Sequence, residues 1–136
     1  MRYVFALLMA AVASLSAHTA RACDCFLLPP PKEALKEAAA VFMGKVKSIE
    51  RADHGWTVTF EVEKSYKGVK TKKLEVQTPV DQGACGYGFT KGEVYVVYCY
   101  GGGKDKALRT GLCTRTRPAS KAKDDLDVLG EGIAIE

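Results

Sequence analysis

Cys23-Asp24-Cys25 sets two thiols one residue apart with a carboxylate between them, and Cys85, Cys99 and Cys113 complete the cysteine set. Cysteines can form disulfides, ligate zinc, or react as thiolates. The chain before them decides among these. Arg2 supplies a positive start, Val4 to Leu15 an apolar run, and Ala20-Arg21-Ala22 the small residues at −3 and −1 of a signal-peptide cleavage site. The run is too short for a transmembrane helix. Cleavage after Ala22 is expected to make Cys23 the first residue of a secreted chain, periplasmic or extracellular, with a free α-amine. Such an amine has a pKa of about 7.7 to 8.0, so its lone pair is accessible near neutral pH.

An oxidising destination favours disulfides over a zinc site built from Cys23, Cys25 and another cysteine, although the ligand types suit zinc. Five thiols allow at most two internal bridges. Cys99 is the expected free thiol, because it lies in the continuous apolar run Val94 to Tyr100, where a cysteine acts as a small buried hydrophobe. Lipidation of Cys23 is disfavoured by Arg21, which is unlike the small apolar residues such a site prefers.

Removing residues 1–22 leaves 114 of 136 residues, enough for one domain spanning 23–136. Arg2 and Arg21 leave with the signal, so 18 basic and 16 acidic residues remain, a net charge of +2. That balance argues against a nucleic-acid partner, and Lys67, Lys70, Lys72 and Lys73 read as a solvated turn. Nothing suggests an enzyme or a bound cofactor. His54 is the lone mature histidine, in the turn Asp53-His54-Gly55, and no base stands beside a nucleophile. Asp124 and Asp125 suit the start of a helix, where carboxylates complement the dipole.

The elements that must position the cysteines are short. Pro29-Pro30-Pro31 is extended and leads into a helix over 32–40, with Pro31 suited to its first turn. A strand is expected over 41–51. Trp56, Val58, Phe60 and Val62 then alternate with Thr57, Thr59, Glu61 and Glu63, the pattern of a half-buried strand. Further strands are predicted over 73–77, 94–100 and 108–114, the last carrying Cys113, with Gly101 to Gly103 breaking the fourth. The loop 79–92 carries Cys85. A last helix runs from a Ser120 cap to Leu129, with Gly130 beyond it. The aromatic residues Tyr87, Phe89, Tyr95, Tyr98 and Tyr100 are assigned to core and sheet surface. The expectation is a mainly β fold: a five-stranded OB-like β-barrel with flanking helices, stapled by disulfides.

The Cys-x-Cys start, Val41-Phe42-Met43-Gly44-Lys45-Val46, Phe60 to Gly68, Cys85-Gly86-Tyr87-Gly88-Phe89 and Leu112-Cys113-Thr114 together resemble the N-terminal netrin-type domain of the tissue inhibitors of metalloproteinases. The resemblance covers nearly the whole mature chain and is nearest to a single-domain, bacterial-like version. It implies bridges Cys23–Cys85 and Cys25–Cys113. It also implies inhibition of a zinc metalloprotease by a monomer, with Cys23 chelating the protease's zinc in trans through its amine and carbonyl. The inhibitory edge would comprise Cys23, Asp24, Cys25, Phe26 and Leu27, with Gln82, Gly83, Ala84 and Cys85 as its other half. Asp24 stands where that family favours a small uncharged residue, which supports the alternative of a non-catalytic netrin-type interaction module.

Overall fold

The computed structural model describes residues 23–53, 55–103 and 106–136. The expected signal segment and His54 lie outside the described residues. The described residues form seven strands: β1 (Ala40–Ala52), β2 (Gly55–Lys67), β3 (Lys73–Thr78), β4 (Val94–Gly103), β5 (Lys106–Arg109), β6 (Arg117–Pro118) and β7 (Ile133–Ala134). Two helices accompany them among the described residues, α1 (Pro31–Glu37) and α2 (Lys123–Leu129). The fold is mainly β, as the residue pattern predicts. No helix among the described residues is long and apolar enough to cross a membrane.

Strand pairing closes a ring. β1 pairs with β2, β2 with β3, β3 with β5 in parallel, β5 with β4, and β4 returns to β1. The alternating run of β2 explains its place. Val58, Phe60 and Val62 are buried and join Phe42, Val46, Val76, Tyr95, Val97 and Cys99 in one cluster, with Trp56 packed against it. Phe60 stands opposite Val46 on one side and Leu74 on the other, so the buried face continues across three strands.

β4 is apolar at every position from Val94 to Tyr100 because both of its faces are covered. Tyr95, Val97 and Cys99 join the first cluster, while Val96 and Tyr98 pack with Val41, Ala34, Ala38 and Ala122 in a second. That second cluster is where α1 and α2 dock. A seven-residue helix is marginal alone, so burial of Ala34 and Ala38 against the sheet holds α1 in place. Lys67 donates from Nζ to the carbonyls of Leu35 and Lys36 at 3.0 and 2.8 Å, satisfying the helix end. Lys72 similarly donates to Ile135 at 2.9 Å. Lys70, Lys72 and Lys73 are exposed, as expected of a solvated turn, while Lys67 and Lys72 also hold backbone carbonyls of neighbouring segments.

Four boundaries differ from expectation. α1 ends at Glu37, where Ala38 turns extended, and Ala40, expected in the helix, opens β1. β4 continues through Gly101–Gly103, pairing Gly101 with Leu108 and Gly103 with Lys106. Gly101 and Gly102 take φ of 77° and 78°, a conformation open to glycine, so the triplet bends the strand without ending it. β5 ends at Arg109, and Cys113 lies beyond it in a turn. α2 begins at Lys123 after a single 3-10 turn over Ala119–Lys121, and Ser120 caps nothing. Gly130 does close α2, its N–H reaching the Leu126 carbonyl at 3.0 Å.

Candidate functional site

The extended segment 23–30 has no regular structure of its own, so its shape comes from attachments. Cys23 is bonded to Cys85 and Cys25 to Cys113, bridging 62 and 88 residues, with Cα separations of 5.2 Å in both. Closing loops of this length removes unfolded-state entropy equivalent to about 4 kcal/mol per bridge in the chain-entropy account. A third attachment follows. Arg115 donates from Nη1 to the carbonyl of Pro29 at 3.1 Å.

Each anchor is itself held. Asp81 accepts the Ala84 N–H on its side chain at 2.9 Å and caps the 3-10 turn Gln82–Ala84. Cys85 follows at φ 63°, a left-handed conformation rarely taken by residues other than glycine. Its carbonyl accepts the Leu112 N–H at 2.9 Å, tying the Cys85 loop to the Cys113 turn. The close approach needs Gly111, where a Cβ would lie 2.5 Å from the Cys85 oxygen. Trp56 Nε1 donates to the Val80 carbonyl at 2.9 Å and fastens the start of the same loop to β2.

The Cys113 turn is shaped by buried hydroxyls. Thr110 Oγ1 lies 2.8 Å from Thr116 Oγ1 and donates to the Tyr98 carbonyl at 3.0 Å. Thr114 Oγ1 donates to the Gly111 carbonyl at 2.9 Å. Arg115 then meets Asp125, whose side chain is fully buried, with Nε and Nη2 donating at 2.6 and 3.1 Å. Tyr98 donates to the same carboxylate at 3.0 Å, and Arg117 Nε lies 3.5 Å from it. Burial, followed by the nearby Asp125 charge, pushes the Tyr98 hydroxyl pKa well up.

On this frame, Phe26 and Leu27 are 97% and 99% exposed. Asp24, Gln82, Gly83 and Ala84 are also exposed, while Cys23 and Cys85 are half-buried. The residues expected to form an edge thus fall into two strips joined by the Cys23–Cys85 bridge. One strip carries two bare apolar side chains. Beside the second strip, a cavity of about 250 Å³ is lined by Trp56, Pro79, Val80, Gln82, Tyr87 and Phe89, among others. Phe89 stacks edge-on with Phe60 and Tyr95, and Tyr87 with Tyr95, so these rings are continuous with the core. Burial above all pushes the Tyr87 hydroxyl up to about 12.

Cys99 is unbonded and buried, and burial pushes its thiol up to about 12. At neutral pH it stays protonated and inert. Sequence reasoning did not find Arg115 or its pairing with Asp125. Asp125 reads as a helix-start carboxylate, and only the tertiary fold brings the two together. No protein-family model matches the chain, and no curated protein matches it.

Proposed function

We propose that the protein is a secreted inhibitor of zinc metalloendopeptidases, acting through the mature N-terminus at Cys23. A catalytic zinc held by three protein ligands keeps one position for water or substrate. The α-amine and carbonyl of one residue close a five-membered chelate on such a metal and displace that water. The observation that supports this most is the double staple: both cysteines flanking Asp24 are bonded to separate, well-held loops. A terminus fixed in this way loses little entropy on docking. Phe26 and Leu27, bare to solvent, supply apolar contacts along a substrate groove.

The five-strand ring, with its parallel β3–β5 contact, fits an OB-type barrel of the netrin kind. The resemblance to the metalloproteinase inhibitors brings the mode of action and a monomeric state to this reading. The exposed carboxylate of Asp24 favours a second reading, a netrin-type interaction module without inhibition. A carboxylate entering an apolar protease pocket must be desolvated at a cost.

N-terminal sequencing and intact mass of the exported protein, followed by titration against a panel of zinc endopeptidases, separate the two. Inhibition by a chain starting at free Cys23 supports the inhibitor. A free terminus that inhibits nothing supports the module.

A further inference from the structure

We propose that Cys23, Cys25, Cys85 and Cys113, when reduced, form a tetrathiolate site for one zinc ion. The same sulfurs would then have two closed states, a pair of disulfides or a metal centre. The distances between the bridges carry the argument. Cys113 Sγ lies 3.7 Å from Cys23 Sγ and 3.9 Å from Cys85 Sγ. The sulfurs of Cys23, Cys25 and Cys113 all lie within 4.8 Å of one another.

A tetrahedral zinc with Zn–S bonds of about 2.3 Å sets its sulfurs about 3.8 Å apart along each edge. Two contacts between the bridges, Cys113 to Cys23 and Cys113 to Cys85, already match that edge. The two bonded pairs must open and the Cys85 sulfur must close on that of Cys25, movements that begin with rotation about the Cα–Cβ bonds. The attachments that hold the anchors in the absence of the bridges are the Leu112–Cys85 hydrogen bond, the Asp81 cap and the Arg115–Pro29 contact. Cys99 takes no part, being enclosed in the first core cluster.

The chemistry balances. Each bridge takes two electrons from a phosphine and two protons from the medium, giving two thiols. The phosphine becomes its oxide with oxygen from water. Zinc then displaces four protons from the four thiols, and the site carries two net negative charges. A cellular dithiol does the same reduction while closing its own disulfide. Thiolates select zinc among common divalent ions, and compartment poise decides which state holds. The zinc state does not require protease inhibition, but it opens the two bridges on which that reading rests, so the metal titration tests it separately.

The test uses the chain from Cys23 to Glu136, reduced anaerobically with a water-soluble phosphine and titrated with cobalt(II), then zinc. The expected result is a one-to-one endpoint, sulfur-to-cobalt charge transfer and strong tetrahedral visible bands, bleached by zinc, with the β-type circular dichroism retained. Should reduction alone unfold the chain, zinc is expected to restore that signal. Cys99→Ala should leave the endpoint and the charge-transfer intensity unchanged. Cys85→Ser should remove about a quarter of the charge-transfer intensity, one sulfur in four. It should also weaken binding by more than the roughly 10- to 100-fold that losing an outer partner costs. A weak octahedral spectrum, an endpoint beyond one metal, an unchanged spectrum in Cys85→Ser, or zinc that leaves a reduced chain unfolded would each overturn the proposal.

Discussion

Arg115 binds the fully buried carboxylate of Asp125 through two nitrogens, at 2.6 and 3.1 Å, while its third nitrogen holds the Pro29 carbonyl. One guanidinium therefore joins α2 to the segment that carries the candidate site. Removing Arg115 leaves the buried carboxylate with the Tyr98 hydroxyl and the more distant Arg117 alone. Arg115→Ala is expected to destabilise the fold by about 2 to 3 kcal/mol, below the roughly 3 to 5 kcal/mol of a charge left wholly unpaired, read as a lower urea midpoint. A midpoint within experimental error of the parent would show that the pair holds nothing.

The exposed pair should behave in the opposite way. Phe26 and Leu27 touch almost nothing, so Phe26→Ser and Leu27→Ser are expected to leave stability within about 0.5 kcal/mol. Each should weaken protease inhibition by roughly 10- to 150-fold, since burying such a side chain contributes about 1.5 to 3 kcal/mol. Equal inhibition constants for parent and variants would remove these residues from the interface.

Gly111 sets how closely the Cys113 turn approaches the Cys85 loop. Gly111→Ala places a Cβ 2.5 Å from the Cys85 carbonyl oxygen, so the backbone must move. A loss of about 1 to 3 kcal/mol is expected, together with faster exchange of the Leu112 amide. Hydrogen exchange followed by NMR checks both loops at once. Unchanged exchange at Leu112 would show that the two loops are not coupled.

Much of this arrangement is legible in the residues. The alternation from Trp56 to Glu63 marks β2 because period two is a local property of a half-buried strand. The helix formers of 32–40 mark α1 for a similar local reason but not its end, since Ala38 is already extended and Ala40 opens β1. The extension of β4 through Gly101–Gly103 is not legible, since glycine reads as a breaker until its pairing with β5 is known. Arg115 and Asp125 are likewise ordinary charged residues in sequence, and nothing local marks them as partners. Cys113 sits in a turn because buried threonine hydroxyls and Gly111 turn the chain after Arg109, a tertiary effect.

Alkaline pH should unfold the protein. Burial raises the Cys99 thiol and the hydroxyls of Tyr66, Tyr87, Tyr95, Tyr98 and Tyr100. Above the ordinary thiol pKa of 9.0 the native state binds more protons than the unfolded state, so unfolding free energy falls as pH rises. Stability from these groups is complete below about pH 9 and declines from there towards pH 12. Denaturant midpoints between pH 7 and 11 check the direction, and phenolate absorbance should rise together with unfolding. A midpoint that stays constant up to pH 11 would contradict the burial of these groups.

The central claim is that a free amine at Cys23 meets the zinc of a protease. The most direct measurement compares inhibition by the chain starting at Cys23 with the same chain carrying one additional alanine before it, both with disulfides mapped and stability matched. The account predicts that the added residue weakens inhibition by at least about 100-fold, about 2.8 kcal/mol. Equal inhibition by the two chains would contradict it, because a terminus displaced by one residue cannot place the Cys23 amine on the metal.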